Sequence, residues 1–184
     1  MSGLRTLALF ALVLHMSHLL GQGQSATALF TCETISPPPG TGEEYRDVVV
    51  NGDYRFVAPI PAGLVAWGGT PGAPFHGFTI FLNKKSDSCI HFLIGLHVDL
   101  PEDAVTTPIP VGRSKTVRVG NRTGRETLKV GIIHDVSIEN LNIQVDLPRD
   151  GEKDEVSITL IGPTAERRKT RPIFKKFISE IKFR

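Results

Sequence analysis

Cysteine, tryptophan and methionine are scarce in this chain of 184 residues, which has two, one and two of them. The two cysteines, Cys32 and Cys89, form neither a Cys-x-x-Cys pair nor a Cys/His cluster along the sequence, so zinc-finger and dithiol redox spacings are excluded and no metal is expected. After residue 20 no apolar run approaches the roughly 20 residues that a membrane helix needs. No Gly-x-Ser-x-Gly elbow presents a serine nucleophile. Residues 150–155 are acidic but lack the oxygen-ligand pattern of an EF-hand loop. The stretch Gly68-Gly69-Thr70-Pro71-Gly72 lacks the lysine and following helix of a phosphate cradle. These absences point away from an enzyme and from a cofactor, and toward a binding module.

The N-terminus reads as a targeting segment. Residues 1–5 carry one arginine, residues 7–20 are apolar except for His15, Ser17 and His18, and small and polar residues follow. That order is a secretory signal peptide over residues 1–28, with cleavage after Gly23 or Ala28. The mature chain is then expected to be soluble, secreted and extracellular. In an oxidising compartment Cys32 and Cys89 are expected to form one disulfide, the alternative being two free thiols. It would pin the mature N-terminus to the middle of the fold and contribute about 4 kcal/mol in the chain-entropy model. Asn121-Arg122-Thr123 is an N-glycosylation sequon, which places Asn121 at the surface.

The formal net charge is only +2, yet Arg167, Arg168, Lys169, Arg171, Lys175, Lys176 and Lys182 crowd the last segment. Such asymmetry marks either a solvated edge or a basic patch for glycosaminoglycan or anionic membrane; nucleic acid is not an expected partner. Ile173, Phe174, Phe177, Ile178 and Ile181 stand at helical spacing with lysines opposite, which makes this a short basic amphipathic segment. Residues 179–184 fit a last strand with Ile181 and Phe183 inward equally well.

Residues 88–99 are nearly all apolar, too short to span a bilayer, and flanked by polar or turn-forming residues, as a buried strand is. In a strand, His91, Leu93, Gly95, His97 and Asp99 share one face, while Phe92, Ile94, Leu96 and Val98 share the other. His91 and His97 would lie about 20 Å apart, too far to share a metal ion. The polar turn of residues 83–87 joins this strand to Phe78-Thr79-Ile80-Phe81-Leu82, so the two should pair antiparallel. Asn51-Gly52 between β-prone runs signals a hairpin with a type I′ turn. Residues 115–119, 126–130, 136–138, 141–147 and 156–160 read as further strands, with turns at 121–124 and 148–154. Trp67 beside a Gly/Pro-rich loop is expected to plug the core. Short strands and almost no helix argue for an all-β antiparallel sandwich or jelly roll.

The order of these motifs resembles a galectin. Pro59-Ile60-Pro61-Ala62-Gly63-Leu64 is similar to that family's entry segment, and Phe78-Thr79-Ile80-Phe81-Leu82 to a following strand. Ile90-His91-Phe92 is similar to its His-Phe strand, the run from Val156 to Gly162 to a later strand, and the rhythm of Pro172, Ile178 and Ile181 to its closing segment. The resemblance covers residues 54–184 and implies a galectin-like β-sandwich there, preceded by an N-terminal loop and hairpin over 29–53. It implies a lectin that binds carbohydrate, or an extracellular protein partner, through His91, Asn121 and Glu126. Leu93, Gly95, Thr123 and Leu128 stand where the family has an asparagine, an arginine, the galactose-stacking tryptophan and a second arginine.

Overall fold

The structure, a computed structural model, describes Cys32 and residues 42–69, 72–100, 104–106, 114–149 and 152–184. The expected signal peptide, residues 1–28, lies outside the described residues, as do parts of the 29–53 segment and of the loop after residue 100. In chain order the strands are β1 (Glu44–Tyr45), β2 (Val48–Asn51), β3 (Phe56–Pro59), β4 (Ala66–Gly68), β5 (Gly77–Phe81), β6 (Cys89–Ile94), β7 (Val105–Thr106), β8 (Lys115–Val119), β9 (Arg122–Ile133), β10 (Val136–Arg149) and β11 (Glu152–Pro163). A 3-10 turn (Thr164–Glu166), helix α1 (Arg167–Glu180) and strand β12 (Lys182–Phe183) complete the chain.

The molecule is a mostly β, antiparallel sandwich. A nine-stranded sheet runs β1-β4-β5-β6-β11-β10-β9-β7, with β8 also pairing with β9, and a three-stranded sheet runs β12-β3-β2. Alternation explains the core: Ile90, Phe92 and Ile94 of β6, Ile143 and Val145 of β10 and Ile158 of β11 turn inward and are buried. They meet Val49, Phe56, Ala58 and Phe183 of the small sheet. Helix α1 closes the same core with Phe174, Phe177 and Ile178, so the apolar stripe packs inside the fold. Phe78 stacks on Phe92 at 5.0 Å, and Phe177 meets Phe78 edge-on at 6.3 Å. Fully burying each such ring contributes about 1.5–3 kcal/mol. Both readings of the tail hold in part, because the helix ends at Glu180 and Ile181 and Phe183 are buried as a final extended segment.

Several local expectations change. The 88–99 strand stops at Ile94: Gly95 takes φ +66, a turn that glycine adopts without Cβ strain, and its N–H bonds to Glu155 O at 2.9 Å. The strand alternation therefore no longer governs His97 and Asp99, and Leu96 is exposed. The Asn51-Gly52 hairpin forms, but through four residues. Asn51 pairs with Phe56, its side-chain oxygen accepts from Tyr54 N–H at 3.0 Å, and Arg55 takes the positive φ. The 121–124 turn shrinks to Gly120 and Asn121, and residues 136–149 form one strand rather than two. Trp67 is half-buried on β4 rather than a core plug. Glu139 is the charged exception in the core: its carboxylate accepts from Arg171 Nε at 2.8 Å and lies 3.7 Å from Arg167, which ties α1 to β10.

Candidate functional site

The outer face of the nine-stranded sheet, turned away from the main core, concentrates the polar side chains. The registers Trp67–Thr79–His91–Thr159–Asn142–Thr127 align six residues across β4, β5, β6, β11, β10 and β9. The next row aligns Leu93, Ser157, Gln144 and Arg125. At the other end this face is apolar: Cys32, Cys89, Ile133, Ile138 and Ile161 form a small second core.

The middle row is sealed. Thr79, His91 and Thr159 are each 2 % exposed or less, as is Ser157 in the adjoining row. His91 Nδ1 lies 2.9 Å from Thr79 Oγ1, and its Nε2 lies 3.1 Å from Cys89 Sγ. Burial drives its pKa down to about 4, so the ring is neutral at physiological pH. Asn142 Nδ2 donates to Ser157 Oγ at 2.6 Å and to Thr159 Oγ1 at 2.8 Å. The Thr79–His91 contact has the look of a nucleophile and base, but the two residues are only 2 % and 1 % exposed.

The row toward β8 is open. Arg125 Nη2 donates to Gln144 Oε1 at 2.8 Å, Gln144 Nε2 donates to Glu155 Oε1 at 3.0 Å, and His97 Nδ1 lies 3.9 Å from the same oxygen. Arg125, Gln144 and Glu155, with Thr116, Thr123 and Asp146, line a shallow depression of about 330 Å³. A second depression beside it shares Thr123 and Asp146 and adds Arg118, Asn121 and Arg122. Nearby, Asp99 pairs with Lys129. Partial burial pushes the Asp99 carboxyl up, but hydrogen bonds from Lys129 and Leu100 N–H, with the charges of Lys129 and His97, hold it below its ordinary value.

The three residues expected to bind ligand do not converge. His91 is sealed in the middle row. Glu126 pairs with the core residue Ile143, so it stands on the opposite face of the sheet. Asn121 reaches the lip of the depression, but its side-chain amide is already engaged: Nδ2 donates to Phe183 O at 2.6 Å, and Oδ1 accepts from Phe183 N–H at 2.9 Å. The amide thus holds β12 in place of a paired strand. The residues that line the open site, Arg125, Gln144, Asp146 and Glu155, were missed. The signal for two of them was present in the alternation of 141–147, whose polar set is Asn142, Gln144 and Asp146.

The expected disulfide is present between Cys32 and Cys89, whose Cα atoms are 6.2 Å apart. It brings three metal-ligating side chains together despite the absence of a zinc spacing, because the Sγ atoms of Cys32 and Cys89 and a ring nitrogen of His91 lie within 4.8 Å of one another. Among the basic residues, Arg171 and Arg167 face Glu139, Lys169 pairs with Glu166 at 3.2 Å, and Lys176 lies 4.0 Å from Glu180. Arg168, Lys175 and Lys182 are exposed beside them. No helix of the described residues is long and apolar enough to cross a membrane.

No family model and no curated protein matches the chain. Among solved structures it is similar to LpqN of Mycobacterium tuberculosis, a protein involved in cell envelope biogenesis, at TM-score 0.53 and 12 % identity over 76 % of this chain and 89 % of that one. It is also similar to a Bacteroides thetaiotaomicron protein (TM-score 0.46, 9 % identity, 78 % of this chain, 49 % of that one). A third similarity is to the cyanobacterial PsbP of Synechocystis (TM-score 0.45, 8 % identity, 82 % and 99 %). The likeness to LpqN is one of fold alone.

Proposed function

We propose that the protein is a secreted binding module that recognises a hydroxyl-rich ligand, in the first place a carbohydrate, through the open polar end of its large sheet. The observation that carries this reading is the Arg125–Gln144–Glu155 chain of hydrogen bonds lining an open depression. Guanidinium, amide and carboxylate groups that hold one another in place present fixed donors and acceptors, so little side-chain entropy is lost when vicinal hydroxyls displace water. The galectin resemblance supports the same ligand class, although the site has moved from the His91, Asn121 and Glu126 set to the β8–β11 end. A glycan array on the secreted protein tests the reading. Binding inhibited by free sugar, and lost in Arg125→Ala and Gln144→Ala variants whose melting temperature is unchanged, is expected. Binding that survives both substitutions, or no glycan binding at all, would overturn it.

A second reading rests on the docked helix. With Phe174, Phe177 and Ile178 buried, the helix has no apolar face left to insert into a bilayer, but Arg168, Lys175, Lys176 and Lys182 remain exposed. That surface suits a sulfated glycosaminoglycan held by charge alone. Salt-sensitive retention on heparin, abolished by Arg168→Ala with Lys175→Ala and Lys176→Ala, is its expected outcome.

A further inference from the structure

We infer that reduction of the Cys32–Cys89 disulfide converts the second core into a zinc site whose ligands are Cys32 Sγ, Cys89 Sγ and His91 Nε2. The donors already cluster within 4.8 Å, and all three residues are 1 % exposed or less. Cys89 and His91 are two apart on β6, so both side chains leave the same face of the strand. The disulfide carries Cys32 to that face across a separation of 57 residues. Two thiolates and an imidazole are a donor set that Zn²⁺ favours, and three protein ligands leave a fourth tetrahedral position for water.

The geometry around His91 supports this assignment. Nδ1 faces a hydroxyl oxygen, Thr79 Oγ1, at 2.9 Å, whereas the partner of Nε2 among the described residues is the Cys89 sulfur at 3.1 Å. An N–H gains more from a hydroxyl oxygen than from a disulfide sulfur, so the proton belongs on Nδ1 and the Nε2 lone pair points at the sulfur. A ligating histidine typically shows this arrangement, its far N–H held by a second residue that fixes ring and tautomer. Thr79 is that second residue here. On reduction the two sulfurs need only separate to about 3.8 Å, the edge of a tetrahedron with Zn–S of about 2.3 Å.

The chemistry balances. A dithiol reductant gives two electrons and two protons to the disulfide and becomes a disulfide itself, which leaves Cys32 and Cys89 as thiols. Zn²⁺ then displaces both thiol protons to solvent, and His91 contributes a lone pair without a proton change. The outcome is a staple that survives loss of the covalent one, because the metal keeps Cys32 on β6 when the sulfur–sulfur bond is gone.

The test uses the full secreted chain, reduced with a phosphine, freed of reductant without oxygen, and titrated with Co²⁺ and then Zn²⁺. One Co²⁺ per chain, with thiolate charge-transfer and tetrahedral ligand-field absorption that Zn²⁺ abolishes, is expected. The oxidised protein should bind none. His91→Gln should weaken binding at least tenfold, and Thr79→Val, which leaves all three ligands in place, by about 10- to 100-fold. Less than one equivalent bound, an octahedral spectrum, unchanged affinity in His91→Gln, or the same spectrum from the urea-unfolded reduced chain would each overturn the inference.

Discussion

The buried carboxylate of Glu139 makes a directional prediction. Its side chain is 5 % exposed, while its partners Arg171 and Arg167 are 27 % and 53 % exposed. Removing either end of this cluster deletes an ion pair, but the two deletions leave different remnants. Arg171→Met takes away the 2.8 Å partner and leaves a carboxylate out of water, with only Arg167 at 3.7 Å. A buried charge stripped of its main partner costs about 3–5 kcal/mol. Glu139→Met instead removes the buried charge and leaves two arginines that reach solvent by rotating outward. Its cost should be about 1 kcal/mol or less, because methionine fills much of the vacated volume. The double variant should be more stable than Arg171→Met alone. Urea denaturation followed by far-ultraviolet circular dichroism gives the three values, provided the slope with denaturant is unchanged. If Glu139→Met costs as much as Arg171→Met, or the double variant is the least stable of the three, then burial of the carboxylate is not what makes this contact valuable.

Three further outcomes follow from individual residues. His91 has its pKa lowered from 6.5 to about 4 by burial, so the unfolded chain binds the extra proton first. Stability should be full above about pH 6.5 and fall as the pH drops toward 4, by up to about 3 kcal/mol, and this slope should flatten in His91→Gln; an unchanged slope in that variant would assign the acid sensitivity elsewhere. Asn121→Ala loses both hydrogen bonds to the Phe183 backbone and should cost about 1–3 kcal/mol, whereas Thr123→Ala, which destroys the same sequon at an exposed position, should leave the melting temperature of unglycosylated protein unchanged. Gly120 has φ +54, and a Cβ there would sit 1.6 Å from Ile181 O; Gly120→Ala should therefore cost more than about 3 kcal/mol or fail to fold, which a thermal melt or an expression trial shows directly.

The sequence by itself determined the β character of the fold, most strand positions and the disulfide partners, because each depends on information local to the chain. Alternation at 115–119 and 141–147 and turn residues between runs are legible one stretch at a time, and two cysteines in the chain leave one intrachain pairing to make. It also showed that the tail was amphipathic, but not what would cover the stripe; only the tertiary structure put Phe174 and Phe177 against Phe78 and the sheet, and gave Arg171 a buried partner on β10. The site was the least legible part. His91, Asn121 and Glu126 were joined by the order of motifs, yet strand register puts Glu126 behind the sheet, and the return of β12 occupies the Asn121 amide. Conversely, Arg125, Gln144 and Glu155 come from three strands, and only the β9–β10–β11 register sets them side by side. Facing direction within a strand has a period of two and can be read along the chain. Which strands lie next to one another, and what covers each face, is a property of long-range packing that no single stretch of sequence contains.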